Sequence, residues 1–392
     1  GGEGEGGAQG HVAIKMVKTR AGEQPIVMRE GIVMSLIECP YIPRCFDYGI
    51  SGETCYFIMD FFNGTNMDEV LSQEGVLGVR EAALVAVSVL EALQSVHAAG
   101  FVHRDVKPHN VLRCEHGCAS AGVNASWAYR LIDFGTATGA DGCLFGNKDL
   151  AEEEEEGVCI LTRMGEDTER KLQAVFNSVD RGNTGGLGVA DLAHCYRAVG
   201  LKPSPEQLDE LVRKYDGHRL AGESGGTLDG QISLDEFIVM FGELVARQDR
   251  ATTHGTHGYI SPEQYLGEPL TAATDLFALG ASLYKLASGR LPFDPLRGPG
   301  AEAPGAATPA TKLEWERNRW KRVVADPSSP PARDLREINP SIPDDFAEAV
   351  MRCLARDPEE RFADAAETQR AFQKVLARTC REKKGGEGGK RP

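Results

Sequence analysis

Residues 103–110 read His103-Arg104-Asp105-Val106-Lys107-Pro108-His109-Asn110, and Asp133-Phe134-Gly135 follows a strand-like run from Tyr129 to Ile132. One loop therefore carries a carboxylate, an ammonium two residues later and a carboxamide five residues later. That trio can hold a hydroxyl acceptor, a terminal phosphate and a metal ion together. In phosphoryl transfer the moving group spreads negative charge over its oxygens, so a protein contributes positioning and charge neutralisation more than covalent chemistry.

Around this loop the pattern is α plus β. Residues 11–135 mix short β-type runs, His11 to Val17 and Tyr56 to Phe61, with helical ones, the longest being Val79 to His97. Residues 136–165 are Gly-rich and then carry five consecutive glutamates, Glu152 to Glu156, as a solvated linker does. From about 166 to 242 the pattern is wholly helical. A second helical region runs from about 255 to Cys380, broken by a Pro/Ala/Gly-rich stretch at 295–311.

At these residues the sequence resembles the protein kinase family, and further marks follow in order. Val12-Ala13-Ile14-Lys15 matches the strand whose lysine holds the α- and β-phosphates, and Glu30 fits its partner on the next helix, with Pro40 after it. Ile58-Met59-Asp60-Phe61-Phe62 resembles the hinge that meets adenine, with Leu112 beneath the ring. Ser261-Pro262-Glu263 stands for the end of the activation segment, Asp275 for the central helix's aspartate and Arg361 for the arginine that pairs with Glu263. The resemblance covers about 11–136 and 250–375 and implies an α+β, bilobal fold.

By position it implies that Asp105 orients the acceptor hydroxyl and takes its proton, Lys107 contacts the γ-phosphate, and Asn110 and Asp133 bind Mg²⁺. Ala13, Lys15, Glu30, Met59, Asp60, Phe62, Leu112 and Asp133 would form the ATP site. Lys107 and Thr256 resemble the form specific for serine and threonine, so the expected partner is a protein substrate with such an acceptor. The Gly-rich hairpin that covers the phosphates in this family belongs upstream of Lys15. Gly2, Gly4 and Gly7 have its spacing, yet seven residues between Gly7 and Lys15 are too few for two strand segments of roughly five residues each and a turn. The expectation is a shortened N-lobe.

Asp133 and Glu263 stand 130 positions apart, several times the family's usual spacing, so something is inserted. Four stretches in it keep an i, i+3, i+4, i+7 apolar period, starting at Leu172, Leu192, Leu208 and Leu234. They bracket loops that start at Asp180 and Asp216, 36 residues apart, and the repeat resembles a calmodulin-like pair of EF-hands. In the first loop Asp180, Thr184, Gly186 and Asp191 would ligate Ca²⁺, with Gly185 at the sharp turn and Leu187 at the apolar eighth position. In the second, Asp229, Gln231 and Glu236 would ligate in a register that starts at Gly225, with Gly230 and Ile232 at the turn and apolar positions. Asp216 lies nine residues too early, so an insertion splits this loop. Few carboxylates imply weak binding.

The expected domains are thus a kinase N-lobe remainder with catalytic loop (11–136), an acidic linker (137–165), an EF-hand pair (166–242), a kinase C-lobe (250–375) and a disordered tail (376–392). The function implied is an ATP-dependent serine/threonine kinase, Ca²⁺-regulated through a contact between the EF-hand pair and the kinase. The alternative is a catalytically weak or inactive kinase-like scaffold that senses Ca²⁺.

Composition sets the outer bounds. The 392 residues are 41% hydrophobic and 26% charged, with 43 basic and 58 acidic side chains and a net charge of −15. Residues 151–247 alone hold 19 acidic against 10 basic side chains. Such a chain is a poor general binder of nucleic acid or anionic membrane. No stretch reaches the roughly 18 apolar residues of a membrane span. Ten scattered cysteines suit a reducing compartment, so an intracellular, cytoplasmic location is expected. Three lesser signals remain. Cys114-x-His116-x-Cys118 lacks a fourth zinc ligand. Lys312 to Val324, with Trp315 and Trp320, reads as a basic amphipathic helix of the sort that calmodulin-like lobes grasp, with ordinary C-lobe packing as the alternative. Thr252 sits where activation-loop phosphorylation falls, within reach of Arg104.

Overall fold

The computed structural model describes residues 11–19, 24–51, 53–115, 127–139, 205–216, 255–293 and 309–387, and, with internal gaps, 173–198 and 229–237. Strand β1 (Val12–Lys18) is followed by helix α1 (Gln24–Leu36), then β2 (Cys45–Ser51) and β3 (Thr54–Asp60). These strands pair antiparallel in the order β1-β3-β2, with Lys15 opposite Phe57 and Ala13 opposite Met59. Strand alternation decides which side chains face the interior. Ala13, Lys15 and Val17 are half-buried on β1, whereas Val12, Ile14 and Met16 are exposed.

The larger part begins with β4 (Gly64–Asn66), α2 (Met67–Glu74) and α3 (Val79–Ala98). Helix α3 carries Glu81 in its first turn and His97 in its last, as the helix dipole favours. After it come β5 (Phe101–Val102), β6 (Val111–Glu115), β7 (Trp127–Leu131) and β8 (Thr138–Gly139). They form two small sheets, β4-β6-β7 and β5-β8. The β6–β7 pair places the segment 103–110 and Asp133 at neighbouring ends.

Helices α6 (Pro262–Leu266), α7 (Ala272–Ser288), α8 (Pro309–Ala325), α9 (Leu335–Ile338), α10 (Asp344–Cys353) and α11 (Ala365–Glu387) complete this part. Helix α7 is buried nearly all round. Thr271 and Thr274 close a reciprocal cap at its start, and Gly289, at φ 70°, ends it in the left-handed conformation that glycine adopts freely. Burying Leu276, Leu279, Leu283 and Leu286 stabilises the fold by about 1.5–3 kcal/mol for each side chain. Glu263 and Arg361 pair across this core at 2.8 and 2.9 Å, with side chains 2% and 0% exposed.

Helix α11 corrects one boundary. The stretch from 376, expected as a tail, continues the helix to Glu387, because Val375 and Leu376 still pack on the core and Arg378 pairs with Asp345 at 2.9 Å. Helix α8 likewise starts at Pro309, inside the stretch read as a loop to 311, since proline is tolerated in a first turn.

Residues 173–237 build a separate, smaller core of Phe176, Leu187, Leu192, Leu208, Val212, Ile232 and Phe237. Helices α4 (Val189–Ala198) and α5 (Pro205–Tyr215) belong to it. Leu187 and Ile232 form an isolated antiparallel bridge, exchanging N–H···O bonds of 2.8 and 3.0 Å. Leu234 packs against both this core and the main one. Among the described residues no helix is long and apolar enough to cross a membrane. Residues 140–165 of the expected linker, together with Leu172, Gly225, Thr252, His116 and Cys118, lie outside the described residues, whereas the linker's first residues form part of β8.

Candidate active site

The site is built from three elements that meet. Lys15 reaches from β1 to α1, where its Nζ donates to both carboxylate oxygens of buried Glu30 at 2.8 Å. The same ammonium donates to Asp133 Oδ1 at 2.8 Å. Burial works against the Lys15 charge, but the Glu30 and Asp133 carboxylates overcome it and raise its pKa. Burial likewise disfavours the Asp133 carboxylate, and the hydrogen bond from Lys15 more than offsets this, so Asp133 sits below the usual carboxylate range. Gly135 lies against this network, since a Cβ there would stand 3.4 Å from Asp133 Oδ1 and 3.5 Å from Glu30 Oε2.

The second cluster is the 103–110 loop. Lys107 Nζ donates to Asp105 Oδ2 at 2.6 Å and to Thr256 Oγ1 at 2.7 Å. Asn110 Nδ2 donates to the Asp105 carbonyl at 2.9 Å and to Oδ2 at 3.0 Å. Thr256 closes the ring, giving its N–H and its hydroxyl to Asp105 Oδ1 at 3.2 and 3.0 Å. Three side chains from two distant segments, Lys107, Asn110 and Thr256, thus share the Asp105 carboxylate.

Among the described residues two hold left-handed backbone without being glycine, Arg104 at φ 70° and Asp133 at φ 67°. Such residues cost roughly 1–3 kcal/mol and persist where their surroundings over-determine them. At Arg104 the restraint is Asp275 on α7. It accepts the N–H groups of His103 and Arg104 at 2.9 and 2.8 Å and lies 2.8 Å from His97 Nε2. Burial pushes the Asp275 pKa up, yet these bonds hold it below the ordinary value. His103 is fully buried, with its ring edge-on to Phe134 at 4.8 Å, and burial lowers its pKa so that the imidazole is neutral.

The residues expected around a nucleotide base are less closely joined. Met59 is half-buried at the end of β3, and Asp60 Oδ2 accepts the Arg44 N–H at 2.9 Å. Phe62 lies under the Arg130 guanidinium at 4.8 Å, with Leu112 opposite Arg130 in the β6–β7 register. The Cys114 thiol is buried and pushed up by that burial. Trp320 packs against the main core, as expected of a packed helix.

In the smaller unit, Asp180 accepts the N–H groups of Thr184 and Gly185 at 2.9 and 2.7 Å. Asp216 accepts those of Asp229 and Gly230 at 3.3 and 2.8 Å. The two aspartates therefore play one structural part, and sequence reasoning missed this for Asp216 because nine extra residues intervene. Gly186 accepts the Thr184 hydroxyl, Asp191 caps the Gly188 N–H, and Glu236 holds the N–H and hydroxyl of Ser233 at 2.8 and 2.9 Å. Gln231 N–H goes to Asp229 Oδ1.

Residues 5–144 match the protein kinase domain model. The comparisons support the protein kinase family. The chain is 32% identical over 139 residues to the serine/threonine-protein kinase PknA of Mycobacterium tuberculosis, covering 33% of this chain and 30% of that protein. It is 35% identical over 135 residues to the serine/threonine-protein kinase PkaB of Streptomyces coelicolor, covering 33% and 32%. Against a probable serine/threonine-protein kinase of Corynebacterium efficiens the identity is 21% over 364 residues, covering 91% of this chain and 36% of that protein. The chain thus spans little more than a third of the length of these relatives, or less.

Proposed function

We propose that this chain is an ATP- and Mg²⁺-dependent protein kinase acting on serine and threonine. The observation that carries the reading is the convergence of Lys15, Glu30 and Asp133 within 2.8 Å, beside a loop in which Asp105, Lys107, Asn110 and Thr256 bond to one another. Asn110 gives its amide nitrogen to Asp105, and its side-chain oxygen and the Asp133 carboxylate are the hard-oxygen donors that would hold Mg²⁺. When bound, the metal and nucleotide supply the phosphoryl group and neutralise charge that develops on it.

The remaining work falls to the chain. Lys15, kept charged by Glu30, binds the nucleotide's phosphates; Asp105 receives the acceptor's hydroxyl proton; Lys107 faces the transferred group; Thr256 keeps the acceptor side of Asp105 in place. The test is transfer of radiolabel from γ-labelled ATP to a serine/threonine peptide library. Asp105→Asn is expected to lower it by about 10²–10⁴-fold. Unchanged incorporation would overturn the reading.

A finer reading concerns the inserted unit, an EF-hand pair through which Ca²⁺ regulates the kinase. It is supported by the Leu187–Ile232 bridge and by the matched grip of Asp180 and Asp216 on successive backbone N–H groups. The contact of Leu234 with both cores supplies a path. The carboxylates on offer are Asp216, Asp229 and Glu236 in the second loop and Asp180 and Asp191 in the first, although among the described residues no three such groups are gathered at one point. Calcium titration of the chain by calorimetry should show heat that Asp216→Ala and Glu236→Gln abolish. No heat from the wild type would leave the unit a packing module.

A further inference from the structure

We propose that the exposed basic stripe of α8, formed by Arg317, Lys321 and Arg322, is an intramolecular docking surface for the acidic run Glu152–Glu156 of the same chain. The proposal goes beyond the kinase reading and does not depend on it.

Helix α8 divides into two faces. Val324 is buried, and Trp320 and Val323 are half-buried against the main core, whereas Arg317, Asn318, Lys321 and Arg322 are exposed. At about 100° per residue the four exposed positions fall within a strip roughly 140° wide, on the side away from the core. Arg319 stands at the edge of this strip, with its guanidinium 4.9 Å over the Trp315 ring. Among the described residues, Arg317, Lys321 and Arg322 have no ion-pair partner. The acidic side chains nearest in sequence are otherwise engaged. Glu316 is half-buried and acts on His257, and Asp326 Oδ1 accepts the N–H and hydroxyl of Ser328 at 2.8 and 2.7 Å.

The occupant follows from charge and reach. The chain carries a net charge of −15, so three unpaired cations on one strip are an exception that attracts the chain's own carboxylates. The densest acidic run in the sequence is the five glutamates at 152–156. It begins 13 residues beyond Gly139, the end of β8, a reach of about 45 Å for extended chain. The path it has to cover is short. Strand β8 pairs with Phe101 and Val102, just before Asp105, and Thr256, bonded to Asp105, leads within six residues to α6, on which α8 packs. Exposed ion pairs are individually weak, but a tether gives the run an effective concentration that a free acidic peptide matches only in the millimolar range. Because the pairs face water, salt screens them.

Acetylation of amines by a limiting reagent, read by peptide mass spectrometry, reports how free Lys321 is, with Lys285, held by Asp68 at 2.7 Å, as internal reference. At low salt Lys321 of the wild type should label about threefold more slowly than in a variant carrying Glu152→Gln, Glu153→Gln, Glu154→Gln, Glu155→Gln and Glu156→Gln. About 0.5 M salt should bring the wild type to the variant's rate and leave the variant unchanged relative to Lys285. A zero-length carbodiimide should join Lys321 to one of the five glutamates within a single chain. Arg317→Glu with Arg322→Glu, which keeps the reacting amine, should lower that product about fivefold. Thermal melts check that each variant folds. Equal labelling of Lys321 in the wild type and the glutamine variant would overturn the proposal. So would a cross-link from Lys321 mainly to acidic residues within 180–236, which makes the smaller unit the occupant, or one that joins light and heavy isotope-labelled chains, which makes it a second copy. These readouts do not involve phosphate transfer, so this proposal and the kinase reading can fail separately.

Discussion

The candidate active site and the inserted unit are both held by carboxylates, but the carboxylates reach over different distances. In the site, Lys15 joins Glu30 and Asp133, and Thr256 joins Asp105, so each bond ties together segments far apart in the chain. In the smaller unit, Asp180 bonds four and five residues ahead, Glu236 bonds Ser233 beside it, and the longest reach, from Asp216 to Asp229 and Gly230, stays within that unit. The first network stands on the large core around α7; the second stands on seven buried side chains and one bridge. Removing a charge from the site should cost chemistry while the core keeps its shape. Removing a contact from the smaller core should cost local structure.

The largest effect is expected where a long-range pair lies inside the main core. Arg361→Met leaves Glu263 buried without its bidentate partner, which should lower unfolding free energy by about 3–5 kcal/mol in a denaturant titration. A loss under about 1 kcal/mol would mean that the pair contributes little to the architecture.

Much of this contrast was legible in the sequence, and the reason is distance along the chain. The Asp105, Lys107 and Asn110 cluster sits within six residues, and its spacing alone announces the loop that the bonds then display. Thr256 was legible through its place before Ser261-Pro262-Glu263. Asp216 was misplaced, for a physical reason. A register is counted in residues, whereas a bond needs only that two points meet, and a longer excursion between them adds little closure entropy. The extension of α11 past 376 was hidden by Gly385 and Gly386, which in sequence signal an end.

The insert should respond next. Leu187→Ala removes a fully buried side chain from the small core and should cost that unit about 2–5 kcal/mol. Amide hydrogen exchange locates the loss: protection should vanish at Leu187 and Ile232 while α7 keeps its own. If α7 amides lose protection equally, the two cores form one cooperative unit, and the contact at Leu234 is stronger than packing of a single side chain implies.

The smallest effect is a pH slope that belongs to the main core. His103 is buried and neutral, and among the described residues its Nε2 has no hydrogen-bond partner. Its folded pKa is lowered, so between that value and the unfolded value of about 6.5 the unfolded chain binds the extra proton. The stability involved is fully present above about 6.5 and declines as pH falls through the window below it, by at most about 1.4 kcal/mol per pH unit for one proton. His103→Phe keeps an aromatic ring against Phe134 and removes the proton site. Denaturant titrations at pH 7.5 and 5.5 should therefore show a smaller acid loss in the variant than in the wild type, with α7 exchange following the same difference. Equal losses in the two proteins would mean that the ring is protonated without cost in the fold, through the nearby Asp275 and Asp105 carboxylates that oppose its burial.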